Sequence, residues 1–174
     1  QHRGAVDMLE ETYLKIISAK TAELFAAATK VGAILSDADT KEKDALEFYG
    51  RNLGLTFQIA DDTLDYNSEV KLFGKTIGQD FFEGKITLPI ILLYQKSDFE
   101  EKEILNKIFH KEIRNRDDFE KTIFLIKKYG IIKDCYQKAQ HYINLASNSL
   151  TVFKDSKEKE ILKNLTSFSL TRNF

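Results

Sequence analysis

The chain is poor in the residues that cross-link or punctuate a fold. It has one cysteine, Cys135, so no disulfide can close within it. With only three scattered histidines, His2, His110 and His141, it offers no Cys/His set for a structural zinc. The single thiol fits a reducing compartment, and a cytoplasmic location is expected. One proline and eight glycines among 174 residues disfavour a fold of many tight turns and favour long uninterrupted helices. Neither sign of charge is in excess: 26 Lys and Arg face 27 Asp and Glu, for a formal net charge of -1 and a pI of about 6.4. That balance excludes a protein held to nucleic acid by bulk electrostatics. No stretch approaches the roughly 20 apolar residues of a transmembrane helix. The opening Gln1-His2-Arg3-Gly4 is not followed by the apolar run of a signal peptide. Met8 is the only methionine, so a fragment or a processed chain is expected.

What is present is a globular composition, 43% hydrophobic and 30% charged. The length suits one domain over residues 1–174 with a core of its own. Leu14, Ile17, Thr21, Leu24, Ala28, Val31 and Leu35 recur at steps of three and four, which predicts one long helix over 9–35. Its alanine-dense stretch, Ala19 to Ala33, allows another helix close. After the turn at 36–40, with Thr40 as N-cap and no capping box, a second helix is predicted over 41–66. Its middle, Leu53 to Ala60, is apolar nearly all round, as in a buried helix. Gly50 and Gly54 sit four apart on one face and invite a neighbouring backbone. Residues 67–88 hold Gly74, Gly78 and Gly84 and the lysines Lys71, Lys75 and Lys85, and read as a loop or a pair of short turns. Such a loop behind a buried helix is more often functional than a bare connector. Further helices are predicted at 88–96, 99–110, 116–129, 131–153 and 156–172. The fold class is all-α, a multi-helix bundle.

The run that points to chemistry is Gln58-Ile59-Ala60-Asp61-Asp62-Thr63-Leu64-Asp65. On a helix, Gln58, Asp61, Asp62 and Asp65 line one stripe. Three carboxylates there repel one another, and they emerge from a segment that reads as buried, where desolvation costs several kcal/mol per ion. A hard divalent cation, Mg²⁺ or Mn²⁺, meets that need. Mg²⁺ uses one or two carboxylates and completes its shell with water and substrate phosphates. Lys20, Lys75 and Lys85 supply point charges suited to the same phosphates. Each feature also has a plainer reading. An Asp-Asp-x-x-Asp run in a highly charged chain can be a solvated helix face, as Asp117-Asp118 illustrates, and Lys20 alone can be a snorkelling side chain. Co-occurrence of buried helix, aspartate stripe and lysine loop favours a site.

Three ordered blocks resemble the trans-polyprenyl diphosphate synthase family, in its C-terminal part. They are Lys20-Thr21-Ala22-Glu23-Leu24-Phe25, then Gly54 to Tyr66 around the aspartates, then Gly74-Lys75-Thr76-Ile77-Gly78-Gln79-Asp80 with Glu83-Gly84-Lys85-Ile86-Thr87-Leu88-Pro89. Their wording is similar to long-chain enzymes of the octaprenyl type, which make quinone side chains. The resemblance implies the isoprenoid synthase helix bundle, a Mg²⁺ cofactor, allylic and isopentenyl diphosphates as substrates, and a homodimer. It implies that Asp61, and through water Asp62 and Asp65, hold Mg²⁺. Lys20, Lys75 and Lys85 would clamp the allylic diphosphate. The Thr21 hydroxyl and the Gln58 carbonyl would face the allylic cation, with Lys20 beside them as a third catalytic residue. Asp80 would order the loop.

The chain departs from the family in having a single Asp-Asp-x-x-Asp, at 61–65, and no Gly-Lys-Arg for isopentenyl diphosphate. Residues 1–174 alone are therefore expected to lack synthase turnover. A non-catalytic helical subunit or regulatory partner with a relic diphosphate site stays open as the alternative. A terpene cyclase is a third reading, disfavoured because the block from Lys85 to Pro89 resembles chain-elongating enzymes. Product length is not legible in these residues.

Overall fold

The computed structural model describes residues 6–67 and 77–171. Among these the chain is all-α, with no strand. In order come α1 (Glu10–Ile17), a π-helical turn (Ser18–Ala22), α2 (Glu23–Leu35), α3 (Thr40–Leu64), α4 (Gln79–Glu83), α5 (Leu88–Lys96), α6 (Phe99–His110), α7 (Arg116–Lys128), α8 (Ile131–Ser149), a 3₁₀ turn (Leu150–Val152) and α9 (Lys157–Thr171). No helix among the described residues is long and apolar enough to cross a membrane.

The helices fall close to the predicted ranges, with four informative differences. The expected 9–35 helix is interrupted by the π turn. α3 begins at Thr40 because Asp39, not Thr40, is its cap: the Glu42 N–H donates to Asp39 Oδ1 at 2.8 Å and the Asp39 N–H to Glu42 Oε2 at 3.1 Å, a reciprocal capping box. α3 stops at Leu64, so Asp65 lies just beyond it. The expected loop contains α4, a single helical turn bounded by left-handed Gly78 (φ 87°) and Gly84 (φ 73°), which only glycine adopts readily.

The chain divides into two compact units. The first comprises Gln1–Tyr13 and Asp61–Tyr136. Its centre is α5, where Leu88 to Leu93 are all buried and Pro89 sits in the first turn, where a missing N–H costs nothing. Beside it Phe81 is wholly buried, edge-on to Phe82 and Phe109 at 5.4 and 5.5 Å and tilted against Phe119 at 5.2 Å. The second unit comprises Leu14–Ala60 and Gln137–Phe174. Tyr49, Leu53, Ala146 and Leu150 form its core, flanked by Phe25, Leu46, Phe153 and Leu162. The Tyr49 hydroxyl donates to the Leu162 carbonyl at 2.8 Å.

Two buried carboxylates fasten the first unit. Glu101 accepts from Lys128 Nζ at 2.6 Å and from the Tyr129 hydroxyl at 2.5 Å, and these bonds hold its carboxyl below the usual range against the opposing pull of burial. Burial is the largest influence on Asp118 and would raise it, but Lys111 at 2.6 Å and the Asn115 N–H outweigh burial and hold it low. Both groups therefore stabilise the fold above their unfolded values, about 3.9 for Asp and 4.3 for Glu, and that contribution is lost as pH falls through the lower folded values. The urea midpoint should accordingly drop between pH 6 and pH 3. The drop should shrink in the Glu101→Gln/Asp118→Asn double variant; an equal drop in both proteins would contradict the assignment.

Candidate active site

In the second unit two helices approach closely. A Cβ on Gly54 would fall 2.6 Å from the Ala22 Cα, and one on Gly50 would overlap the Phe25 carbonyl and Thr29 Oγ1. Only glycine lets α3 lie this near the π turn and the start of α2. The contact is bridged by Thr29, whose hydroxyl meets the Leu46 carbonyl at 2.6 Å. The result is a hydrogen bond between two residues 37 apart in sequence: Thr21 Oγ1 donates to Gln58 Oε1 at 2.8 Å. Both are partly buried. Lys20 and Thr21 lie inside the π turn, a local widening often found where a helix serves a functional site. Lys20 is exposed.

In the first unit the aspartates separate into distinct environments. Asp61 is half-buried. Asp62 is 5% exposed and accepts a 2.8 Å bond from the Tyr13 hydroxyl. Burial, and then the neighbouring Asp62 anion, push the Tyr13 hydroxyl well above its ordinary pKa, so it stays a donor at any physiological pH. Asp65 is 1% exposed. It lies past the end of α3, and its carboxylate accepts the N–H groups of Gln79 at 3.0 Å and Asp80 at 2.8 Å, capping α4. Among the described residues no group of three or more His, Cys, Asp or Glu side chains is arranged to hold a metal. Asp61, Asp62 and Asp65 thus do not close into a protein-only cage.

Lys75, with Lys71 and Gly74, lies outside the described residues. Lys85 is exposed, and its ammonium meets Asp80 at 2.8 Å and Glu83 at 2.7 Å. Those hydrogen bonds raise its pKa, first through Asp80 and then Glu83, so it is a permanent cation. Asp80 thereby receives a definite role, holding Lys85. The sequence reading missed Tyr13, because hydrophobic periodicity counts a buried tyrosine as core and says nothing of its hydroxyl. A cleft of about 1060 Å³ in the same unit, lined in part by Phe82, Glu83, Tyr94, Phe109 and Arg114, is bordered by none of the expected site residues.

Comparison with known proteins decides the family. The family model described as polyprenyl synthetase matches residues 1–126. The chain belongs to the polyprenyl synthetase family. It is 36% identical over 169 residues to the short chain isoprenyl diphosphate synthase of Methanothermobacter thermautotrophicus, covering 96% of this chain and 51% of that protein. To the octaprenyl diphosphate synthase of Escherichia coli it is 32% identical over 167 residues, again 96% of this chain and 51% of the other. A crystal structure of a polyprenyl synthase from Caulobacter crescentus, complexed with calcium and isoprenyl diphosphate, superposes with a TM-score of 0.93 at 36% identity, over 100% of this chain and 53% of that one. This polyprenyl synthetase chain spans about half the length of the relatives it matches. Their names differ in product length, so membership of the family does not by itself fix the product.

Two glycines of this polyprenyl synthetase chain should respond oppositely to the same substitution. Gly54→Ala forces the π turn off α3 and should cost about 1–3 kcal/mol of stability. Gly32→Ala, on α2 with nothing within 4 Å of the new Cβ, should add roughly 0.5–1 kcal/mol. Urea unfolding of both variants checks this. A neutral Gly54→Ala would mean that the close approach is not needed.

Proposed function

We propose that residues 1–174 are the C-terminal part of one Mg²⁺-dependent prenyl diphosphate synthase domain. The enzyme would condense isopentenyl diphosphate with an allylic diphosphate. The observation that carries this reading is the Thr21–Gln58 hydrogen bond, which joins two separate motif blocks at the pair of groups expected beside an allylic cation. The finer expectations rest on the wording of those blocks: a long, octaprenyl-like product for quinone side chains, a homodimer and a cytoplasmic location.

The donor set fits Mg²⁺ in the mode that ion prefers. Asp61, half-buried, would be an oxygen ligand, Asp62 and Asp65, held by their own hydrogen bonds, would act through water, and phosphate and water oxygens would complete the shell. The calcium and isoprenyl diphosphate in the Caulobacter crescentus relative support a divalent ion with diphosphate. Bound there, Mg²⁺ would supply positive charge to the departing diphosphate. Lys85 would add positive charge around the same group, the role that the resemblance also implies for Lys20 and Lys75. The allylic C–O bond breaks, its electron pair leaves with diphosphate, and the isopentenyl double bond attacks the cation to form the new C–C bond. The proton then lost passes to the released diphosphate, so no protein base is required. Because Thr21 donates its proton to Gln58 Oε1, its oxygen lone pairs remain to face the cation. Neutral oxygens stabilise that cation as preorganised dipoles, without the full charge that would trap it as an ester.

A second reading is supported by one observation, that residues 1–174 carry a single Asp-Asp-x-x-Asp. It is a non-catalytic helical subunit or regulatory partner with a relic diphosphate site that still binds the anion. Both readings predict Mg²⁺-dependent binding of inorganic pyrophosphate by residues 1–174, measured calorimetrically, without prenyl transfer from labelled isopentenyl diphosphate. Asp61→Asn should weaken that binding at least tenfold. Unchanged affinity in this variant would remove the metal role, and robust turnover by residues 1–174 alone would refute the division of the site. Adding a chain that carries the relatives' other half should restore turnover only under the first reading.

A further inference from the structure

The five-residue α4 is tied at both ends by buried charged groups, and one of them belongs to no motif discussed above. At its start the Asp65 carboxylate takes the N–H groups of Gln79 and Asp80. At its end stands Arg114, from the link between α6 and α7, only 8% exposed. Its Nε donates to the Phe81 carbonyl at 2.8 Å and Nη2 to the Phe82 carbonyl at 3.2 Å. Nη1 donates to the carbonyls of Lys111 at 2.8 Å and Phe109 at 3.3 Å. The guanidinium also lies 5.9 Å from the centre of the Phe109 ring. Phe81 and Phe82 are in the last turn of α4, where the Phe81 carbonyl also accepts the Gly84 N–H and Arg114 adds a side-chain donor to each carbonyl. Gly84, at φ 73°, packs directly on the guanidinium, where a Cβ would overlap Nη2. The turn is built around this side chain, and only the planar fork of arginine reaches all four carbonyls.

The group that leaves this turn is Lys85. Its N–H bonds the Asp80 carbonyl at 2.9 Å, while Gly84 N–H bonds the Phe81 carbonyl at 3.0 Å. Its ammonium is held by Asp80 and Glu83. Among the described residues the hydrogen-bond and ion-pair partners of Lys85 are Asp80 and Glu83 of α4, and the C-terminal turn of α4 is set by Arg114. We propose that Arg114 is a positioning residue for Lys85: it fixes the α4 turn from which the ammonium is presented to a diphosphate. This rests on the reading of Lys85 as a diphosphate ligand given above.

The test is calorimetric affinity for inorganic pyrophosphate with Mg²⁺. It compares the 174-residue chain with Lys85→Met, Arg114→Gln, Arg114→Lys and the Arg114→Gln/Lys85→Met double variant, folding being checked by circular dichroism. Arg114→Gln should weaken binding about tenfold, and Arg114→Lys, which keeps the charge and loses the fork, should weaken it less. The double variant should bind no more weakly than Lys85→Met alone, since a residue acting through Lys85 has nothing left to act on. A merely structural arginine would lower affinity again in that background, and that result overturns the inference. Affinity equal to wild type in Arg114→Gln, with Lys85→Met impaired, also overturns it while leaving the functional reading intact. Unfolding of both Arg114 variants overturns it too, by making the residue a general prop. If the unaltered chain binds no pyrophosphate, the functional reading falls and this inference with it.

Discussion

Carboxylates taken out of water must be given hydrogen-bond donors, and the first unit is organised around that requirement. Asp62 and Asp65 are almost fully buried at and just beyond the end of α3. Left unsolvated and unpaired, each would cost several kcal/mol. Tyr13 answers for Asp62 and the first N–H groups of α4 for Asp65. The two solutions have structural consequences: the first pins Tyr13 to the aspartate run, and the second dictates that a helical turn begins at Gln79. Asp61 remains at the half-exposed position, which is where a carboxylate must stand to meet an ion that also keeps water and phosphate.

The second unit answers a different constraint, that of distance. A hydrogen bond between side chains as short as Thr21 and Gln58 needs their backbones almost in contact. Gly54 removes a Cβ at the point of closest approach, Ala22 keeps its own side chain small, and Gly50 does the same one turn earlier. The π turn adds one residue to the helical circuit at Ser18–Ala22 and so re-aims what it carries. An unbroken α-helix through this stretch would present Lys20 and Thr21 at other angles.

The parts of this architecture that were legible in the sequence are those governed by local rules. Long helices follow from apolar spacing, and their breaks from Gly130 and the polar clusters near 97 and 115. The glycine pair announced the close approach, and the motif blocks brought Thr21 and Gln58 together before any geometry was known. What stayed hidden depends on partners distant in sequence or on small energetic differences. The π turn has the same apolar spacing as the helix around it. α4 is too short to show a period. Asp39 and Thr40 are both good caps, and the choice fell to Asp39 because Glu42, not Lys43, returns the bond. Where α3 stops is unmarked by Gly or Pro, so nothing local showed that Asp65 sits at the helix end and caps α4. Arg114 carries no local signal, since nothing near it in sequence reveals that it bonds the Phe81 and Phe82 carbonyls.

The charge around Lys85 carries the argument one step further. One ammonium is shared by two carboxylates, Asp80 and Glu83, so the trio bears a net charge of -1. An anion approaching this lysine must compete with two carboxylates already in contact with it. A diphosphate accompanied by a divalent cation is different. Its phosphate oxygens can compete for the ammonium while the accompanying charge offsets Asp80 and Glu83. On the proposed reading, then, the dependence on a divalent ion is written into the lysine side of the site as well as the aspartate side. The carboxylates that hold Lys85 in place also set the condition on which it releases them.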